Sequence, residues 1–131
     1  MDYTEKAREY FKDDLFATEQ AGAFIEKAEP GLVVCSMKLS RLHKNARGAV
    51  MGGAIFTLCD FTFAVLSNTP QPGTVTLSGN INFIGVAKGE KLIARAEYIK
   101  SGKRTCTASV EVSDELGNKV AYMTATGFCT G

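Results

Sequence analysis

The chain holds one histidine, His43, and four widely spaced cysteines, Cys35, Cys59, Cys106 and Cys129, with no C-x-x-C pair. A zinc site therefore lacks a recognisable ligand set, and no metal is expected. A surplus of one charge sign is also missing: Lys+Arg 15 against Asp+Glu 14 leave a net charge of +1. No basic run exceeds the pair Lys103-Arg104, which argues against nucleic acid as a partner. The opening residues, Met1 to Lys6, are charged and amphipathic, so no signal peptide is expected. Reduced thiols in a cytoplasmic protein follow as the simplest expectation. An unbroken apolar run is absent too. The stretch from Ala49 to Ser67 comes nearest, but Gly52, Gly53, Thr57, Asp60 and Thr62 interrupt it. It falls short of the ~20 apolar residues that a membrane span needs.

What remains is an ordinary globular composition, 45% apolar and 22% charged. A length of 131 residues suits one domain, with residues 1–20 as an N-terminal helical extension. Between Asp2 and Asp14, the residues Tyr3, Ala7, Tyr10 and Phe11 recur at helical spacing, with Asp2 and Glu5 as a capping pair. A strand is expected around Ala23 to Glu29, then a Pro30-Gly31 turn. Val33, Cys35, Met37 and Leu39 next alternate with Val34, Ser36, Lys38 and Ser40, the pattern of a half-buried strand. Ala49 to Ser67 is apolar on nearly every side and suits a buried central helix. Val75–Ile84, Lys91–Lys100, Lys103–Ser113 and Lys119–Cys129 have strand composition. Their connectors contain Gly89, Gly102 and Gly117, and together the four segments suggest a meander. The expected class is α+β, a curved antiparallel sheet rolled around one helix.

Asp60 is the residue that this plan does not explain. It lies mid-helix near Phe56, Phe61, Phe63 and Leu66. A carboxylate in apolar surroundings is costly and titrates high unless donors surround it, and such groups often mark sites. The alternative is a structural carboxylate tied to a backbone amide or an arginine. Gly52-Gly53 at the helix start offers open backbone N–H groups and the positive end of the dipole, which can polarise a carbonyl. Close packing of helix on sheet is the competing explanation for the pair. Gly52 and Asp60 are eight residues apart, ~12 Å along a helix, too far to share one carbonyl within a chain. Two antiparallel helices across a dimer axis would bring them together. His43 and Asn45 precede the helix in a polar loop, where both suit hydrogen bonding that shapes the loop. Cys59 points ~100° away from Asp60 and fits core packing.

The run from His43 through Asn45, Gly48, Met51, Gly52, Gly53 and Thr57 to Asp60 resembles the H-x-N-x-x-G-x-x-H-G-G-x-x-x-T-x-x-D signature of hotdog-fold thioesterases. The nearest branch is that of phenylacetyl-CoA thioesterase and thioesterase superfamily member 2. Asn80 to Phe83, Gly89-Glu90, Ser101 to Lys103 and Asp114 to Lys119 resemble later strands and turns of that family. The resemblance implies a hotdog fold and hydrolysis of an acyl-CoA without a cofactor. It implies that the Gly52 amide polarises the thioester carbonyl and that Asp60 of a facing subunit acts as base or nucleophile. Asn45 would position water, helped by the hydroxyl of Thr76 or, under a shifted register, of Ser78. His43, Met51, Gly53 and Phe83 would line the substrate, and Lys100, Lys103 and Arg104 would meet CoA phosphates. Met51 departs from the family, which has histidine there. A homodimer or homotetramer is implied. The alternatives are a non-catalytic acyl-CoA-binding domain, which Met51 favours, and an acyl-CoA hydratase or dehydratase, which wants a histidine paired with an acid.

Overall fold

The computed structural model describes all 131 residues. Helix α1 spans Tyr3–Phe11, and its first turn is capped by the Asp2 carboxylate accepting from the Glu5 N–H. A π-helical turn follows at Phe16–Gln20, an element that the apolar spacing did not foretell. Strands β1 (Ala23–Glu29) and β2 (Leu32–Lys38) form a hairpin, and helix α2 runs from Gly52 to Asn68. Strands β3 (Thr74–Phe83), β4 (Lys91–Ser101), β5 (Thr105–Asp114) and β6 (Lys119–Cys129) complete one six-stranded antiparallel sheet.

The sheet order is β1-β2-β4-β5-β6-β3, so the expected four-strand meander holds only for β4-β5-β6. Helix α2 carries the chain from β2 across the concave face, and β3 joins the far edge beside β6. The return to β4, through residues 84–90, is no hairpin. Asp114 pins it, its carboxylate accepting from the N–H groups of Lys88 (2.8 Å) and Gly89 (3.0 Å). The same carboxylate takes the N–H groups of Leu116 and Asn118, so one buried acid organises two loops.

The core lies between α2 and the sheet. Leu58, Cys59, Phe63, Val65 and Leu66 meet Val33, Cys35, Met37, Ala94, Val110 and Met123, all buried. This is the hotdog arrangement of a sheet wrapped on one helix, but α2 is not covered all round. Met51, Phe56 and Asp60 stay exposed, Phe56 with its ring at the β3 edge beside Gly79. No helix is long and apolar enough to cross a membrane, and all four cysteines are unpaired.

The two edges of the sheet differ. Along β1, the Thr4 hydroxyl donates to the Ala28 carbonyl and accepts its N–H, while Arg8 donates to the carbonyls of Ile25 and Glu26. Helix α1 thus caps that edge. Strand β3 pairs only with β6, and eight of its ten residues are exposed. A long bare edge carrying Val75 and Leu77 is a ready template for another strand.

Candidate active site

The start of α2 is held in place by the loop before it. His43 is buried, with Nδ1 accepting from the Ser40 N–H (3.0 Å) and Nε2 facing the Ala21 carbonyl at 2.6 Å. Its carbonyl accepts the Met51 N–H at 2.8 Å. Both ring nitrogens are occupied within the chain, so His43 is a scaffold for the loop, in line with its loop-shaping role and against direct contact with substrate. Asn45 Oδ1 accepts from the N–H groups of Arg47 and Ala49, and its amide nitrogen stays free to donate.

Met51 is the N-cap, and no side chain caps the helix. The N–H groups of Gly52 and Gly53 have no intrahelical acceptor by position, so they remain open at the positive end of the dipole. The Phe83 ring closes over Gly52; a Cβ there would stand 3.2 Å from its Cζ. Glycine at 52 therefore serves close approach to the sheet and leaves its amide open, whereas a side chain at 53 would meet only the Met51 methyl group.

Asp60 is exposed in the single chain, contrary to the expectation of a buried carboxylate, because α2 turns this face away from the sheet. It lies in a groove of about 400 Å³ between α2 and the N-terminal segment, with Phe56, Phe61 and Ala64 beside it and Asp14, Leu15 and Phe16 opposite. Apolar crowding first, and the Asp14 charge second, hold its pKa above the ordinary carboxylate value. Cys59 faces the core, where burial and then the Asp60 charge push its thiol up to about 12. That removes it as a thiolate nucleophile at neutral pH.

The register of β3 orders the remaining candidates. Thr76 pairs with Gly127, whose Cβ position meets Phe63, so Thr76 shares the helix-facing side of the sheet with Gly79, Ile81 and Phe83. A bulge between Thr76 and Ser78 turns Ser78 to the opposite side, opposite Thr126. Gly52 is level with Phe83, and the Phe56 ring is level with Gly79. Asp60, between Phe56 and Phe63 in sequence, is thus level with the Thr76 end of β3, although its own groove contains no β3 residue. Lys103 and Arg104 sit at the other end of β3, where the Cys129 N–H donates to the Arg104 carbonyl beside Thr74. Ten strand residues, ~30 Å, separate them from Gly52 in the same chain.

Residues 47–121 match the family model for the thioesterase superfamily. The chain belongs to the thioesterase superfamily. Within it, human acyl-coenzyme A thioesterase 13 is 34% identical over 96 residues, 71% of this chain and 69% of its own. The Escherichia coli acyl-coenzyme A thioesterase PaaI is 27% identical over 119 residues, 89% of this chain and 84% of its own. A Streptococcus pneumoniae "hypothetical thioesterase protein" solved with coenzyme A superposes with a TM-score of 0.84 at 31% identity, covering 92% of this chain and 97% of that one. The solved E. coli PaaI structure gives a TM-score of 0.90 at 22% identity over 99% of this chain and 97% of that one, a likeness of fold.

Asp14, Leu15 and Phe16 are the groove residues that sequence reasoning missed. The signal was an acidic pair, Asp13-Asp14, followed directly by two large apolar residues past the end of a helix. A separate depression of about 580 Å³ lies elsewhere, around Ile93, Arg95, Glu111 and Tyr122. It contains neither the α2 amides nor Asp60.

Proposed function

We propose that the chain hydrolyses acyl-CoA thioesters at sites shared between two copies joined along β3, in a cytoplasmic homodimer that pairs further into a tetramer. The observation that carries this reading is the level of each group along the bare edge. Gly52 stands level with Phe83, and Asp60, one turn beyond Phe56, is level with the Thr76 end of the strand. Antiparallel pairing of two β3 strands centred on Gly79 sets the helix-facing residues around Thr76 of one against those around Ile81 and Phe83 of the other. The partner's Asp60 then approaches Gly52, closing the ~12 Å gap that one helix leaves open.

Each step of hydrolysis has a group suited to it. The Gly52 amide and the helix dipole stabilise the oxyanion that forms as the thioester carbonyl is attacked. Asp60, with its raised pKa, is a better base than an ordinary carboxylate and takes a proton from water, or attacks directly. The free Asn45 amide and the Thr76 hydroxyl orient that water. Met51, Gly53 and Phe83 flank the thioester. The same pairing carries the partner's Lys103 and the partner's Arg104 toward the Gly52 end, where CoA phosphates need cations. A hydratase would need a histidine free to move protons, and both nitrogens of His43 are engaged.

Incubation with a panel of acyl-CoAs and a free-thiol reagent tests the activity. Thiol release supports hydrolysis. Acyl-CoA binding without release would instead favour a regulatory binding domain, the role to which Met51 points.

A further inference from the structure

The groove beside Asp60 has a second wall, made by the N-terminal segment, that the hydrolytic steps do not use. We infer that Asp14 and the turn after it form the acyl end of the substrate site, and that the Asp14 carboxylate selects against acyl groups ending in an anion. This rests on the thioesterase reading. A thioester carbon in reach of Asp60 has two sides. The CoA side leads toward the cations near Gly52, which leaves the groove for the acyl side.

The groove suits that occupant. Its volume of about 400 Å³ accepts a medium chain or a single ring, and Phe56, Phe61 and Ala64 face Leu15 and Phe16 across it. Leu15 is 51% exposed and Phe16 69%, large apolar groups that the chain itself leaves uncovered. Asp14 has no structural task for its side chain. The Thr18 N–H and hydroxyl both donate to its main-chain carbonyl, and its carboxylate takes no hydrogen bond. No lysine, arginine or histidine lines the groove; its ionisable groups are Asp14 and Asp60, with Asp13 adjacent to Asp14. A third carboxylate at the end of an acyl chain would meet two like charges and no counter-ion. A neutral alkyl or aryl end meets only apolar walls.

The test compares hexanoyl-CoA with adipoyl-CoA, which differs by its terminal carboxylate. Hydrolysis by the wild type is measured, and equilibrium binding is measured on Asp60→Asn protein so that the ligands survive. The wild type is expected to prefer hexanoyl-CoA, and Asp14→Asn to narrow that preference on the order of tenfold, the scale of one charge acting across a groove. Asp14→Lys narrows it further. Asp14→Asn also moves the acid limb of the pH–rate profile to lower pH, because the charge that helps raise the Asp60 pKa is gone, a shift that a merely structural role would not give. A preference unchanged in both Asp14 variants, in binding as in turnover, overturns the inference. Absence of thiol release from either substrate overturns the thioesterase reading instead, while the binding ratios still decide on Asp14.

Discussion

Asp60→Asn separates chemistry from architecture more cleanly than any other single change. The carboxylate takes no hydrogen bond or ion pair within the chain, so the amide orphans no donor. Its removal takes away a positioned base or nucleophile, which lowers kcat by about 10²–10⁴-fold, or about 3–5 kcal/mol on the barrier. Stability should move the other way. Folding raises the Asp60 pKa, so the ionised form burdens the folded state. That burden is full above the folded pKa and vanishes as pH falls below the unfolded value of 3.8. At pH 7 the variant should therefore melt at or slightly above the wild-type temperature, within about 0.5 kcal/mol since the group is half open to water. The two curves should merge near pH 3. Thiol release at saturating acyl-CoA and calorimetry from pH 3 to 8 supply both readouts. A normal kcat with a lowered melting temperature would refute the reasoning and make Asp60 a structural carboxylate.

Other perturbations reach other parts of the account. Gly52→Pro deletes the N–H at the first helical position, where Met51 already has the extended backbone that proline requires of its predecessor (ψ 136) and where the Phe83 ring has only to give by a few tenths of an ångström; kcat should fall by about 10²–10³-fold while circular dichroism stays unchanged. Leu77→Lys places a charge at the bulge of the bare edge, so sedimentation should show monomer and activity should fall with it, without unfolding. Cys59→Ser should cost stability, since the side chain is fully buried, yet keep most of the activity. Asp114→Asn tests the loop clamp: the folded carboxylate titrates well below its ordinary value because Asn118 and the N–H groups of Lys88 and Gly89 hold its charged form. Its contribution is full above the unfolded value of 3.8 and fades as pH falls, so the stability gap between wild type and variant should be widest at neutral pH and close in acid.

The elements were legible wherever one physical signal dominated. Alternation at Val33, Cys35 and Met37 marked β2, and the apolar run ending at Ser67 marked α2, because burial on one face of a strand or all along a helix leaves a direct pattern. Strand order was not legible, since composition is the same for β3 in a meander and for β3 at the far edge; the decisive groups, such as the amides that Asp114 collects, are backbone atoms. The site was half legible. The spacing of Gly52 and Asp60 already pointed to a site shared by two chains, but the exposure of Asp60 depended on which side of α2 the sheet covers. The wall made by Asp14 and Phe16 depended on a π-helical turn that no spacing rule announces.

Mixed dimers test the shared site most directly. Asp60→Asn and Gly52→Pro chains are each expected to be inactive alone. Refolded together in equal amounts, half of the dimers pair one chain of each kind. Each mixed dimer then joins an intact Gly52 to the intact Asp60 of the partner subunit at one of its two sites. The account predicts recovery of about a quarter of wild-type activity. A mixture as inactive as either parent would show that the two groups do not act across the subunit boundary.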